Sequence, residues 1–228
     1  MIEAVIFDVD GTLVDSVDLH AESWTAALEK FGKPVPFADV RRQIGKGADQ
    51  LMPMFLSQSE LAEFGRELDE YRSGLFKREY LPRVKGFPKV RELVQRLRLD
   101  GKKVVLASSA KADELDSYKR IARVDDIIET ETSSDDAERS KPYPDIFQAA
   151  LAELPRIAVQ NIVVVGDTPY DAEAAAKARL RTTIGLLCGG WSEAELREAG
   201  CVKVYRDPAD LLAHYKESPL SAQAFDHF

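Results

Sequence analysis

Apolar positions along this chain fall into two regimes. Short continuous runs rich in β-branched residues at 4–7, 104–107, 162–165 and 182–187 read as strands buried on both faces of a parallel sheet. Shorter apolar runs at 127–129 and 202–205 add two further strands. Between them the apolar positions take helical spacing. Leu19, Trp24, Leu28 and Phe31 predict a helix over 17–31, stopped by Gly32 and Pro34. Helices also follow Pro88, Ala112, Pro144, Pro169, Ser192 and Pro208. Thr168 is a natural N-cap with Pro169 at the first helical position, and Ser192 with Glu195 forms a capping-box pattern. Asp15 or Ser16 is a plausible N-cap for the first helix.

One stretch breaks the alternation. From 37 to 80 the pattern is helical throughout, interrupted only by the loop Gly45, Lys46, Gly47, and no β-rich run intervenes. The fold class is therefore α/β, a parallel sheet with right-handed crossovers into which an all-helical subdomain is inserted after the first strand. The division is core 1–14, helical insertion 15–83 and core 84–228, with hinges near 13–15 and 82–86. The polar loop 130–140 is longer than a usual connection, a length that goes with function or mobility. The tail after Glu217 is expected to fray.

Composition narrows the function classes. With 31 Lys and Arg against 39 Asp and Glu, the net charge of −8 argues against broad binding to nucleic acid or an anionic membrane. No apolar run is long enough to span a bilayer and no secretory leader pattern opens the chain, so a cytoplasmic location is expected. Cys188 and Cys201 cannot form a disulfide framework and suit a reducing compartment. A monomer or weak dimer is expected.

The chemistry gathers at strand ends. Asp8 and Asp10 close the first strand on the same side, and Gly11 then permits a sharp turn. Two such carboxylates repel by about 4 kcal/mol at ~4 Å in an effective dielectric near 20. A cation, a shared proton or a nearby Lys would offset that. Ser108 and Ser109 end the second long strand, Asp167 the next, and Lys141 precedes a helix. In an open parallel sheet, ligands bind beyond these ends.

At these residues the chain resembles the haloacid dehalogenase superfamily in its phosphohydrolase branch. The matching stretches are Asp8 to Ser16, Ser108, Lys141 before Pro142, and Gly166 to Asp171, in the family's order. The resemblance implies a Rossmann-like core with a helical cap after the first strand. It implies that Asp8 forms an aspartyl-phosphate, that Asp10 is the acid and base, that Ser108 contacts a phosphoryl oxygen, and that Lys141 neutralises Asp8. Mg²⁺ would be held by Asp8, the Asp10 main-chain carbonyl, Asp167 and Asp171.

Gly11, Thr12, Ser109, His20 and Lys46 are the candidate substrate contacts. Each has a bland counterpart: turn residues at 11 and 12, a polar strand end at 109, solvated or capping residues at 20 and 46. Asp171 also suits a helix N-terminus. Trp24 and Phe55 read as core of the insertion. The resulting expectation is a Mg²⁺-dependent phosphatase for a small phosphorylated metabolite, phosphoglycolate or a sugar phosphate. The alternatives are a β-phosphoglucomutase-like isomerase, disfavoured by Ala48, Asp49 and Gln50 where that branch carries an Arg, and a non-enzymatic phosphate-responsive binding module.

Overall fold

Strand β1 (Ala4–Phe7) lies at the centre of the molecule. A computed structural model describes residues 1–221. Its β-strands are β1, β2 (Val14–Asp15), β3 (Lys85–Gly86), β4 (Lys103–Ala107), β5 (Thr130–Thr132), β6 (Ile162–Gly166), β7 (Thr182–Leu186) and β8 (Cys201–Tyr205). Six of them form a sheet in the order β5-β4-β1-β6-β7-β8 with every neighbouring pair parallel. The α-helices are α1 (Val17–Lys30), α2 (Phe37–Arg41), α3 (Ala48–Leu51), α4 (Gln58–Glu60), α5 (Arg66–Leu75), α6 (Val90–Leu99), α7 (Ala112–Ala122), α8 (Asp145–Ala152), α9 (Pro169–Lys177), α10 (Glu193–Glu198) and α11 (Pro208–Ala213).

Period-two alternation in β1 divides the core. Val5 and Phe7 pack on one face with α6, α7 and α11, while Ala4 and Ile6 pack on the other with α8 and α9. The sheet is thus covered on both sides, which is why its strands read as unbroken apolar runs. From β1 the chain moves outward to β4 and β5, then crosses back to β6 on the other side of β1. The switch point falls at the carboxyl end of β1, where a crevice opens.

The elements between residues 17 and 83 are all helical. Two π turns, Leu61–Gly65 and Phe76–Tyr80, flank α5, and the segment has a hydrophobic cluster of its own around Trp24, Leu28, Leu51 and Leu68. Leu68 is wholly buried there. Leu68→Ala should cost about 2–5 kcal/mol through lost burial and the cavity left behind, read from denaturant unfolding. The borders of the segment are joined by an antiparallel ribbon, Val14 opposite Gly86 and Asp15 opposite Lys85. Two-residue strands gave no periodic signal in the sequence.

Three local expectations are corrected. The strand expected at 127–129 lies at Thr130–Thr132. The main-chain N–H groups of Ile127 and Ile128 both bond Val124 O, closing a turn after α7, and Ile128 reaches the core from that turn. Ser16 precedes α1 but does not cap it with its side chain. Its hydroxyl donates to Asp10 Oδ1 instead, at 2.5 Å. The expected frayed tail is packed as far as it is described: Ser218 and Leu220 are fully buried, and Ser218 Oγ bonds Tyr215 O. The remainder of that tail, 222–228, lies outside the described residues. No described helix is long and apolar enough to cross a membrane, and both cysteines are free.

Candidate active site

The carboxyl ends of β1, β4 and β6 bring Asp8, Ser108 and Asp167 to one edge of the sheet, and Lys141 and Asp171 enter from the starts of the helical segments beyond. Lys141 Nζ donates to Asp8 Oδ1 at 2.5 Å and to Ala107 O at 3.2 Å, and lies 2.8 Å from Asp171 Oδ1. The other oxygen of Asp171 accepts from Thr168 N at 3.0 Å and from Thr168 Oγ1 at 2.7 Å, so this carboxylate caps α9 while pairing with the ammonium. Thr12 Oγ1 donates to Asp167 Oδ1 at 3.0 Å. Asp167 Oδ2 is buried with no partner.

One ammonium does not balance this cluster. Burial pushes the Asp8 carboxyl up to about 7 against the opposing pull of Lys141, with Asp171 and Asp10 adding to the rise. Burial, then Asp8 and Asp171, raises Asp167 well above the usual carboxylate range. Burial disfavours the charged form of Lys141, but Asp171 and Asp8 more than offset it and hold the ammonium charged. Oxygens of Asp8, Asp167 and Asp171 all lie within 4.8 Å of one another. A buried, all-oxygen donor set with an orphaned carboxylate oxygen fits a hard divalent cation such as Mg²⁺. The side chain of Asp10 is not part of that set, so only its main-chain carbonyl could join it.

Gly11 is forced by this crowding. It has φ +76°, and a Cβ there would sit 2.3 Å from Asp167 Oδ2. The same logic holds at the loop of the helical segment that meets the core. A Cβ on Gly45 would lie 2.7 Å from Thr168 Cγ2, and one on Gly47 only 2.0 Å from Ser140 Oγ.

Asp10 turns toward the helical segment. His20 Nε2 lies 2.8 Å from Asp10 Oδ1 and 2.9 Å from the Tyr118 hydroxyl, which donates to Glu114 Oε1 at 2.8 Å. His20 Nδ1 meets the guanidinium of Arg72. Burial raises the Asp10 carboxyl, and the contacts with His20 and Ser16 more than offset that, leaving it below its ordinary value.

Over Asp8 and Asp10 a half-open cavity of about 400 Å³ lies between the two parts of the chain, within the usual size of a small-molecule site. His20, Lys46 and Ser109 line it. Ser109 Oγ is buried without a partner. Ser108 does not line it: that hydroxyl is fully buried and accepts from Ala110 N at 3.0 Å. Nor do Gly11 and Thr12, which sit beneath Asp167. Lys46 Nζ bonds Gln43 Oε1 at 2.7 Å over the Tyr170 ring, and burial lowers its pKa. Trp24 is both core of the helical segment and part of the cavity wall.

Several lining residues carried no signal in the sequence. Arg72, Asp69 and Ser73 come from α5, and Lys111 and Glu114 from the start of α7. Only their helix faces could have hinted at them. Outside the cavity, the Arg42 guanidinium lies 3.6 Å from the Trp191 ring centroid and bonds Glu195 at 2.6 Å, while Tyr170 donates to Arg42 O at 2.6 Å. On another side, Lys77 meets Asp113 at 2.5 Å and Lys111 meets Asp69 at 3.9 Å. Exposed pairs of this kind contribute ~0–1 kcal/mol each.

Comparison with known proteins agrees with the geometry. The haloacid dehalogenase-like hydrolase family model matches residues 2–179. A phosphorylated carbohydrates phosphatase of Thermotoga maritima is 27% identical over 221 residues, covering 94% of this chain and 99% of that protein. A phosphoglycolate phosphatase of Nitrosospira multiformis is 29% identical over 185 residues, covering 78% and 80%. The crystal structure of a hydrolase from Pseudomonas syringae superposes with TM-score 0.86 at 30% identity, covering 94% of this chain and 98% of that one.

Proposed function

We propose, from the premise that the chain belongs to the haloacid dehalogenase-like hydrolases and is a phosphatase of that family, that it hydrolyses a small sugar phosphate through an aspartyl-phosphate on Asp8. One observation carries the reading. Asp8 is the member of the carboxylate–lysine cluster that also lines the cavity, so it alone of that group can meet a substrate phosphorus.

The roles follow from chemistry. The Asp8 carboxylate attacks phosphorus in line while the ester P–O bond breaks. Asp10, two residues on and facing the same cavity, is held low in the substrate-free site, gains a proton as the incoming phosphate's negative charge reverses that pull, and gives it to the departing alkoxide. It then takes a proton from a water that attacks the aspartyl-phosphate, breaking the bond to Asp8 and freeing phosphate. Lys141 orients Asp8 and balances charge on the transferring group. Mg²⁺ held by Asp8, Asp167 and Asp171 would absorb negative charge on the phosphoryl oxygens. Ser109, with its unpartnered hydroxyl, is the better placed of the two serines for substrate; Ser108 serves by shaping the loop that presents it. Residues 15–83 form the cap, hinged at the ribbon of β2 and β3, and its closure excludes bulk water.

Charge selects the leaving group. Beyond Asp8 and Asp10 the cavity presents Lys46, Arg72 and Lys111 against the carboxylates of Asp49, Asp69, Glu114 and Glu138. Each cation is already engaged, Lys46 by Gln43, Arg72 by His20 and Lys111 by Asp69. A leaving group with its own carboxylate or phosphate would meet net negative charge, whereas the hydroxyls of a polyol meet acceptors. This favours a sugar phosphate over phosphoglycolate. Phosphate release over a metabolite panel, with Mg²⁺ and with EDTA, tests it. Polyol phosphates should exceed phosphoglycolate in kcat/KM by about tenfold or more, a difference of ~1.4 kcal/mol in barrier, and EDTA should abolish turnover. A preference for phosphoglycolate would overturn the substrate assignment. A coupled assay in which β-glucose 1-phosphate isomerises faster than it releases phosphate would overturn the reaction.

A further inference from the structure

Arg72 has no part in the steps above, yet its guanidinium lies inside the cavity against the ring that touches Asp10. Besides meeting His20 Nδ1, it donates Nε–H to Ser23 Oγ at 3.3 Å and lies over the faces of Trp24 and Phe76 at 5.1 and 5.0 Å. Ser23 Oγ in turn donates to the main-chain oxygen of His20 at 2.8 Å. The imidazole is stacked on Phe76, with centroids 4.0 Å apart and planes 5° from parallel. Its plane is therefore fixed.

Donors and acceptors then determine where its proton sits. A guanidinium only donates, so Nδ1 must accept and the ring proton belongs on Nε2. Nε2–H faces Asp10 Oδ1, an acceptor when ionised, at 2.8 Å. The Tyr118 hydroxyl near the same nitrogen gives its own proton to Glu114, leaving its oxygen as an acceptor toward His20. A proton on Nδ1 instead would set N–H against N–H at Arg72 and a lone pair against the Asp10 carboxylate. Two protons would set an imidazolium N–H against a guanidinium. One assignment satisfies every group.

We infer that Arg72 is a positioning residue, whose guanidinium at Nδ1 keeps the ring proton of His20 on Nε2 so that the imidazole presents a hydrogen-bond donor to the acid–base carboxylate of Asp10. Asp10 Oδ1 is held by hydrogen bonds from His20 and Ser16. Tyr118 and Glu114 extend the same direction of donation away from Asp10. The catalytic consequence rests on the phosphatase reading; the tautomer does not.

The test uses the full chain labelled with ¹⁵N in its three imidazoles, with His20 identified by loss of its signals in His20→Gln. Two-bond ¹H–¹⁵N correlation near neutral pH should find Nε2 protonated and Nδ1 bare. Arg72→Met should lose that pattern, and Arg72→Lys, which keeps a cationic donor, should retain it. With the best substrate of the panel, Arg72→Met should lower kcat by roughly tenfold to a hundredfold with KM within about twofold, and Arg72→Lys should recover part of the loss. A proton on Nδ1 in the unsubstituted protein, or an Arg72→Met spectrum identical to it, overturns the assignment. A loss confined to KM makes Arg72 a substrate contact and overturns the positioning role. If no phosphoester is turned over, the phosphatase reading fails while the spectra still decide the tautomer.

Discussion

Asp8→Asn is expected to give a protein with no measurable phosphate release that is nevertheless more stable than the parent at pH 8 in the absence of divalent cation. The amide nearly matches the carboxylate in shape and can still accept from Lys141, but it is no nucleophile. Loss of a covalent nucleophile removes about four orders of magnitude or more of rate. The gain in stability comes from electrostatics. Asp8, Asp167 and Asp171 share one ammonium, and burial holds Asp8 up at about 7. A carboxyl whose folded value lies above its unfolded 3.8 binds protons in the native state that the unfolded chain has released. Stability of the cation-free protein therefore falls as pH rises from about 4 to about 7, and the deficit persists above that. Asparagine removes that deficit at pH 8 and changes little near pH 4, where the deficit has only begun to develop. Phosphate release and denaturant unfolding at the two pH values read both halves. Turnover in the variant would end the nucleophile assignment; a lower stability at pH 8 would mean that the cluster carries less repulsion than its burial implies.

The sequence made the carboxylate-bearing edge of the sheet legible because that edge is built from residues next to strand ends, and strand ends are marked by apolar runs. Asp8, Asp167 and Lys141 are brought together by the parallel register of β1, β4 and β6, and a parallel sheet can be inferred from alternation of elements. The cavity wall was less legible. Arg72, Asp69 and Glu114 are polar residues on amphipathic helices, and nothing in a helical period separates a charged face turned to solvent from one turned to a cleft. Ser16 illustrates the same limit at shorter range. Its position before α1 suited an N-cap, but the hydroxyl bonds Asp10, because the turn after β1 brings that carboxylate within reach. Ser108 and Ser109 differ by one residue, and the polypeptide must turn before it is clear which hydroxyl faces the cavity. The β5 shift has a similar origin, since the apolar pair at 127 and 128 is compatible with either a strand or a buried turn until the hydrogen bonds to Val124 are known.

Lys141→Met should act in the opposite direction on stability while also removing activity. The ammonium is 1% exposed and, among the described residues, is the one cation paired with Asp8 and Asp171. Methionine fills similar volume, so packing is largely kept and the change isolates the charge. Removing one partner of a buried ion pair costs about 3–5 kcal/mol because the other charge is left uncompensated. Asp8 and Asp167 then shift further upward, so the loss is greatest at high pH and shrinks as pH falls and these groups protonate. A divalent cation binding only the native cluster should restore part of it in proportion to its concentration. Asp8→Asn and Lys141→Met thus make opposed predictions from one geometry, and the double variant, with one anion and one cation removed, should lie between them in stability and remain inactive. Because the two side chains touch, their effects should not add, and the size of that departure measures the pair directly. Unfolding of the four proteins at pH 8, with and without Mg²⁺, supplies all the terms. A Lys141→Met protein as stable as the parent without metal would show that the three carboxyls are already protonated there, and that the cluster relies on protons rather than on the ammonium for its neutrality.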